Sequence, residues 1–158
     1  VADLLIATGV VSDRDFAEQI AGLSEGSLER AKQLADGSLW EFRTQLFTAL
    51  RSARLDGVRL HRSVQSCVDE AGKEAAQRRE RLRTVIGFAV EFYRAELRQS
   101  QAGATMTAVS QLDTCLLALE QIERNANLGL VIQYWGESLA QVSRCGADGI
   151  QRLAQATY

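Results

Sequence analysis

"SLWEFRTQLFTAL", residues 38–50, sets the architecture of the chain. Ser38 with Glu41 three residues on makes a capping box, in which each side chain serves a backbone N–H that a first helical turn leaves free. Leu39, Phe42, Leu46, Phe47 and Leu50 then recur at the three-and-four spacing that gathers side chains on one side of a helix. A half-buried strand would alternate every second residue, and this segment does not.

The same period recurs in both directions. Upstream, "VADLLIATG" is a short apolar helix stopped by Gly9. "SDRDFAEQIAGLSEG" opens with Ser12 and Asp15 in a capping-box-like pair and stops between Gly22 and Gly26. Downstream, residues 58–82 are long and polar with a thin stripe of Val58, Leu60, Val64, Val68 and Ala71. Val85, Phe88, Ala89, Phe92 and Ala95 form a stronger stripe, with Tyr93 and Leu97 beside it. "QSQAGAT", 99–105, reads as a loop, and Val109, Leu112, Leu116, Leu119 and Ile122 as the next stripe, ending at "RNAN". Asn125 suits a helix end and Asn127 the N-cap of a last helix bearing Leu128, Val131, Tyr134, Trp135, Leu139 and Val142. After Gly146 the pattern weakens. The expected fold is all-α, a small helical segment over 1–36 followed by a helical bundle over 37–158.

Composition fits that class. The 158 residues are about one domain, 46% hydrophobic and 24% charged, and contain no proline to interrupt long helices. A formal charge of −2 argues against wholesale binding to nucleic acid or anionic membrane, and no apolar run approaches the ~20 residues of a membrane span. Cys67, Cys115 and Cys145 are too far apart for a zinc motif and too few for a disulfide framework, so reduced, cytoplasmic thiols are expected. The chain opens at Val1 without an initiator methionine, as a piece of a longer protein would.

Motifs for chemistry are scarce. His61 is the only histidine, so di-iron and histidine-zinc sites lack ligands and a serine triad would have a single possible base. No glycine pattern forms a phosphate loop or dinucleotide fingerprint, and no metal or other cofactor is expected in this chain. Carboxylates such as Glu91, Glu96, Glu120 and Glu123 suit solvated helix faces. Arg78, Arg79, Arg81 and Arg83 in "KEAAQRRERLR" spread around a helix at 100° per residue, with no aromatic among them to stack on bases.

Arg30 stands out against this background. It falls in the first turn of "SLERAKQLAD", where a cation opposes the helix dipole at roughly 0.3–1 kcal/mol. Its neighbours one turn away are Gly26, Ser27, Gln33 and Leu34, none of them acidic. The whole stretch "IAGLSEGSLERAKQLAD" resembles the sensor-2 helix in the lid of AAA+ clamp-loader ATPases, where a turn of the form E-G-S-x-x-R-A follows a helix ending I-A-x-L. "ALEQIERNANLGLVIQYWGESL" is similar to the last collar helices of the delta-prime subunits of bacterial DNA polymerase III.

The resemblance implies a division into the end of a lid, 1–36, and an oligomerisation collar, 37–158. It implies Walker motifs in an N-terminal part outside this chain. It sets Arg30 where the family's active members reach toward nucleotide phosphates, with Glu29 beside it unfavourable to an anion. Nucleotide binding is often lost among delta-prime subunits, so the family allows Arg30 either a working or a vestigial role. The implied task is assembly, not catalysis: holding a clamp-loader ring together with gamma/tau and delta subunits, with sliding clamp and DNA met only indirectly. Leu39, Trp40, Phe47, Tyr134 and Trp135 are the large side chains expected to serve that interface. The alternatives are the collar of a gamma/tau-type motor subunit, a small helical enzyme using Glu91, Tyr93 or Glu120, and a regulatory bundle binding DNA through Arg78 to Arg83.

Overall fold

The computed structural model describes residues 1–24, 26–99 and 102–156, with side chains for all of these except 29, 33, 102–105 and 147–156. Among the described residues there are eight helices and no strand: α1 (Ala2–Ala7), α2 (Arg14–Leu23), α3 (Leu28–Leu34), α4 (Gly37–Leu50), α5 (Gly57–Asp69), α6 (Ala75–Gln99), α7 (Ala102–Glu123) and α8 (Leu128–Ala156). The fold is all-α, as the periodicity predicts.

Aspartates start three of these helices. Asp36, not Ser38, caps α4: its carboxylate accepts the Ser38 backbone N–H at 3.0 Å and the Ser38 hydroxyl at 2.8 Å. Asp13, not Ser12, caps α2 by accepting the Phe16 N–H at 3.0 Å. Asp56 accepts from both Val58 and Arg59 at the start of α5. A carboxylate satisfies the same free N–H groups as a hydroxyl and adds charge at the positive end of the helix dipole.

Helix ends follow the left-handed rule. At Gly9 (φ +69°) the chain leaves α1 with Gly9 N–H bonded to Ile6 and Val10 N–H to Leu5, the paired bonds of a Schellman turn. The same pair closes α7, with Asn125 (φ +58°) bonded to Ile122 and Ala126 to Gln121. Asn127 then caps α8, accepting the Leu130 N–H at 3.2 Å. Both asparagines act as expected.

Three boundaries differ from the sequence reading. The polar stretch 58–82 breaks where Gly72 adopts φ +103°, separating α5 from α6. "QSQAGAT" is a loop at most over residues 100 and 101, which lie outside the described residues, because α6 runs through Gln99 and α7 starts at Ala102. A glycine costs a helix only about 1 kcal/mol, and without proline nothing removes the backbone N–H. Beyond Gly146, α8 continues to Ala156.

The chain forms two units, 1–44 and 45–158, which divide within α4, after the expected boundary at 36/37. In the first, α1, α2 and α3 pack on one another around Leu5, Ala17, Ile20, Ala31 and Leu34. Trp40 stands edge-on to Phe16, ring centres 5.1 Å apart, with the Arg43 guanidinium 4.8 Å above its ring. In the second, α5 packs on α6, α6 on α7, α7 on α8, and α8 returns to α5, which is the closed cycle of a four-helix bundle. Val64, Ile86, Phe92, Ile122, Trp135 and Leu139 fill its centre. Each such side chain contributes roughly 1.5–3 kcal/mol by leaving water.

The α7 stripe is turned by one residue from its expected setting. Ala108, Gln111, Cys115, Ala118 and Ile122 are buried, whereas Val109, Leu112 and Leu119 are half-buried and Leu116 is exposed. Small side chains let α7 approach its neighbours, and Trp135 of α8 covers Cys115, its indole N–H donating to Sγ at 3.4 Å. A large residue opposite a small one fills the space that two leucines would overfill.

Candidate functional site

Two places carry the sequence-derived candidates, the α2–α3 turn and the surface of the bundle. At the turn, Gly26 holds φ +84°, a conformation that costs glycine nothing, and Ser27 N–H bonds to the Ser24 carbonyl at 2.9 Å. Ser27 then caps α3, its hydroxyl accepting the Arg30 N–H at 3.2 Å. The turn thereby fixes the Arg30 backbone, and its side chain is half-buried. Ser24 is fully buried and satisfied by donating to the Ala21 carbonyl at 2.8 Å. The glycine, the cap and the arginine of the E-G-S-x-x-R-A pattern therefore form one local unit.

The five interface candidates separate sharply. Leu39 and Trp135 are 2% and 1% exposed, so both are core residues with no surface to offer a partner. Trp40 and Phe47 are half-buried; Trp40 packs on Phe16, and Phe47 on Phe92 with ring centres 5.2 Å apart. Tyr134 alone is open, at 56%. Leu130, one turn before it, is 66% exposed and was not among the candidates. The buried positions of α8, namely Val131, Ile132, Trp135, Leu139 and Ala140, form a face to which neither Leu130 nor Tyr134 belongs. That offset is the signal that would have found Leu130 in the sequence.

Residues of the catalytic alternative sit in different surroundings. Tyr93 is in the bundle core, 2% exposed, and its hydroxyl has no hydrogen-bond partner among the described residues. Burial raises its pKa, and the neighbouring Cys115 and Glu96 act in the same direction. Burial likewise pushes the Cys115 thiol up to about 12, partly offset by the Trp135 hydrogen bond. A thiol that stays protonated is a poor nucleophile. Glu120 is exposed and paired with Arg124 at 2.6 Å, and His61 is half-buried on α5. Among the described residues no group of three His, Cys, Asp or Glu side chains stands close enough to hold a metal ion.

Two arginines of the cluster are tied into the bundle. Arg78 pairs with Asp69 across the α5–α6 turn. Arg83 bridges Glu80 at 3.5 Å and Glu123 of α7 at 2.7 Å. Exposed pairs like these contribute about 0–1 kcal/mol, but they occupy the guanidinium edges a phosphate would need. No helix among the described residues is long and apolar enough to cross a membrane. Comparison with protein-family models, curated proteins and solved structures finds no match to this chain.

Proposed function

We propose that this chain is the collar region of a DNA polymerase III clamp-loader subunit, of the delta-prime kind, preceded by the end of its lid. Its task is to join gamma/tau and delta subunits into a ring that loads a sliding clamp in the cytoplasm during DNA replication. The chain itself performs no catalysis and holds no cofactor, and it meets clamp and DNA only through the ring. Arg30 belongs to the lid and faces the phosphates of a nucleotide bound elsewhere in the full protein, or keeps only the place of a residue that once did.

One observation carries this reading: at the start of α8 Leu130 and Tyr134 are open to solvent one turn apart, just after the Asn125–Asn127 turn that resembles the family's. Exposed aromatic and aliphatic groups one turn apart suit a subunit contact, where burial of apolar surface drives association. The helical second unit and the Gly26–Ser27–Arg30 turn are consistent with the same assignment.

Sedimentation velocity of the chain, alone and mixed with the collar domains of gamma/tau and delta subunits, tests the proposal. A defined hetero-oligomer is expected, and Tyr134→Ala should weaken it by about tenfold or more, as a central aromatic contact does. A chain that stays monomeric with every collar would overturn the assignment.

A further inference from the structure

Arg78, Arg83 and Arg124 each hold a carboxylate. By contrast "RSARLDGVRLHR", residues 51–62, sets four arginines against a single acid. Arg51, Arg54, Arg59 and Arg62 are exposed, and none of them makes an ion pair among the described residues. The acid, Asp56, is committed to the Val58 and Arg59 backbone N–H groups as the cap of α5. The backbone beneath these arginines is pinned. Leu55 is buried, the Ser52 hydroxyl donates to the Arg54 carbonyl at 3.1 Å, and Gly57 lies against Gly136 of α8. The Ser143 hydroxyl donates to the Ala53 carbonyl at 3.4 Å. That bond brings the next residue of α8, Arg144, to the edge of the same loop, exposed and likewise without an ion pair among the described residues. Arg59 and Arg62, three apart, share one side of α5. Arg51 reaches over the Phe92 ring, 5.7 Å from its centre.

We propose that this surface, Arg54, Arg59 and Arg62 with Arg51 and Arg144 at its edges, docks a short acidic segment of a protein partner. Gathered like charges repel one another, and a partner's carboxylates remove that repulsion. Guanidinium forks match carboxylates two bonds at a time, and a backbone already held in place gives up little freedom on binding. Val58, 60% exposed between Arg54 and Arg59, offers an apolar contact that a peptide covers and a phosphate backbone does not. An extended polyanion laid along α5 past Arg62 reaches Asp69, held by Arg78, and exposed Glu70 within about 10 Å. Residues 51–62 also carry no aromatic to stack on bases. A nucleic-acid duplex is therefore the poorer fit.

The surface shares no residue with Leu130 and Tyr134, and its test uses no clamp-loader subunit, so this proposal and the collar assignment can fail separately. Three labelled probes are titrated with the full chain by fluorescence anisotropy: a short glutamate-rich peptide, the same peptide with glutamine for every glutamate, and a short DNA duplex. The glutamate peptide should bind at least about tenfold more tightly than either other probe, and the gap should narrow as salt rises. Arg59→Glu with Arg62→Glu should abolish that binding at unchanged helical content. Arg62→Ala should weaken it several-fold, whereas Arg124→Ala, beside the α7–α8 turn, should leave it unchanged. Equal binding of the two peptides, a duplex that binds as tightly as the glutamate peptide, no binding at all, or binding that survives the charge reversal would each overturn the proposal.

Discussion

Cys115 and Tyr93 tie the bundle to pH through their burial. Neither side chain can ionise in the core without losing hydration, which is why both titrate above their ordinary values. In the unfolded chain the thiol ionises near its ordinary value of 9.0, whereas in the native chain it holds its proton to about 12. Between these values the unfolded state binds fewer protons, so raising the pH favours unfolding. Stability from this source is fully present below pH 9 and is lost as pH rises toward 12, by up to about 1.4 kcal/mol per pH unit from the thiol. Tyr93 adds a loss of the same sign above its ordinary value of 10.0. Urea midpoints should therefore fall between pH 9 and 10.5 in the native sequence and fall less steeply in Cys115→Ala. A midpoint that holds steady to pH 10.5 would mean the core admits the charged forms. Nothing in the sequence around Cys115 announces this, since the thiol owes its environment to Trp135, twenty residues along the chain.

Among the helices, the α5–α8 crossing turns on two glycines. A Cβ built on Gly57 would lie 2.8 Å from the Gly136 carbonyl oxygen and 3.1 Å from the Ala140 Cβ. Both obstacles belong to a packed helix and cannot swing aside. Gly57→Ala should therefore cost about 1–3 kcal/mol, even though alanine is the better helix former by about 1 kcal/mol. A lowered urea midpoint with an unchanged slope checks it; a stabilised variant would show that the crossing has slack. Nothing local to Gly57 in the sequence announces this contact, because its partner is on α8. Helical period and end signals were legible because they are local: Asn125 and Asn127 act where they stand. The α7 setting was not, because it depends on what the facing helices can accommodate. Leucine spacing pointed to Leu112, Leu116 and Leu119, but the bundle takes the smaller Ala108, Cys115 and Ala118, leaving Leu112 and Leu119 half-buried and Leu116 exposed. Of the large side chains expected at an interface, Tyr134 is open to solvent, whereas Leu39 and Trp135 are spent on the core.

At the scale of the whole chain, the two units differ in how much core each can build. Residues 1–44 hold three short helices around a few aliphatic side chains, whereas 45–158 close a four-helix bundle. The fraction of surface buried rises with size, and units near 40 residues are marginal on their own. Each unit contains one tryptophan: Trp40 packs on Phe16 in the first, and Trp135 lies in the core of the second. In Trp135→Phe the remaining indole reports the first unit, while far-UV circular dichroism is dominated by the long helices of the second. In that one variant the Trp40 fluorescence should change at lower urea than the helical signal, because the unit with the smaller core opens first. Coincident curves would instead mean that the division within α4 does not separate the units energetically, and that the first gains its stability only as part of the whole.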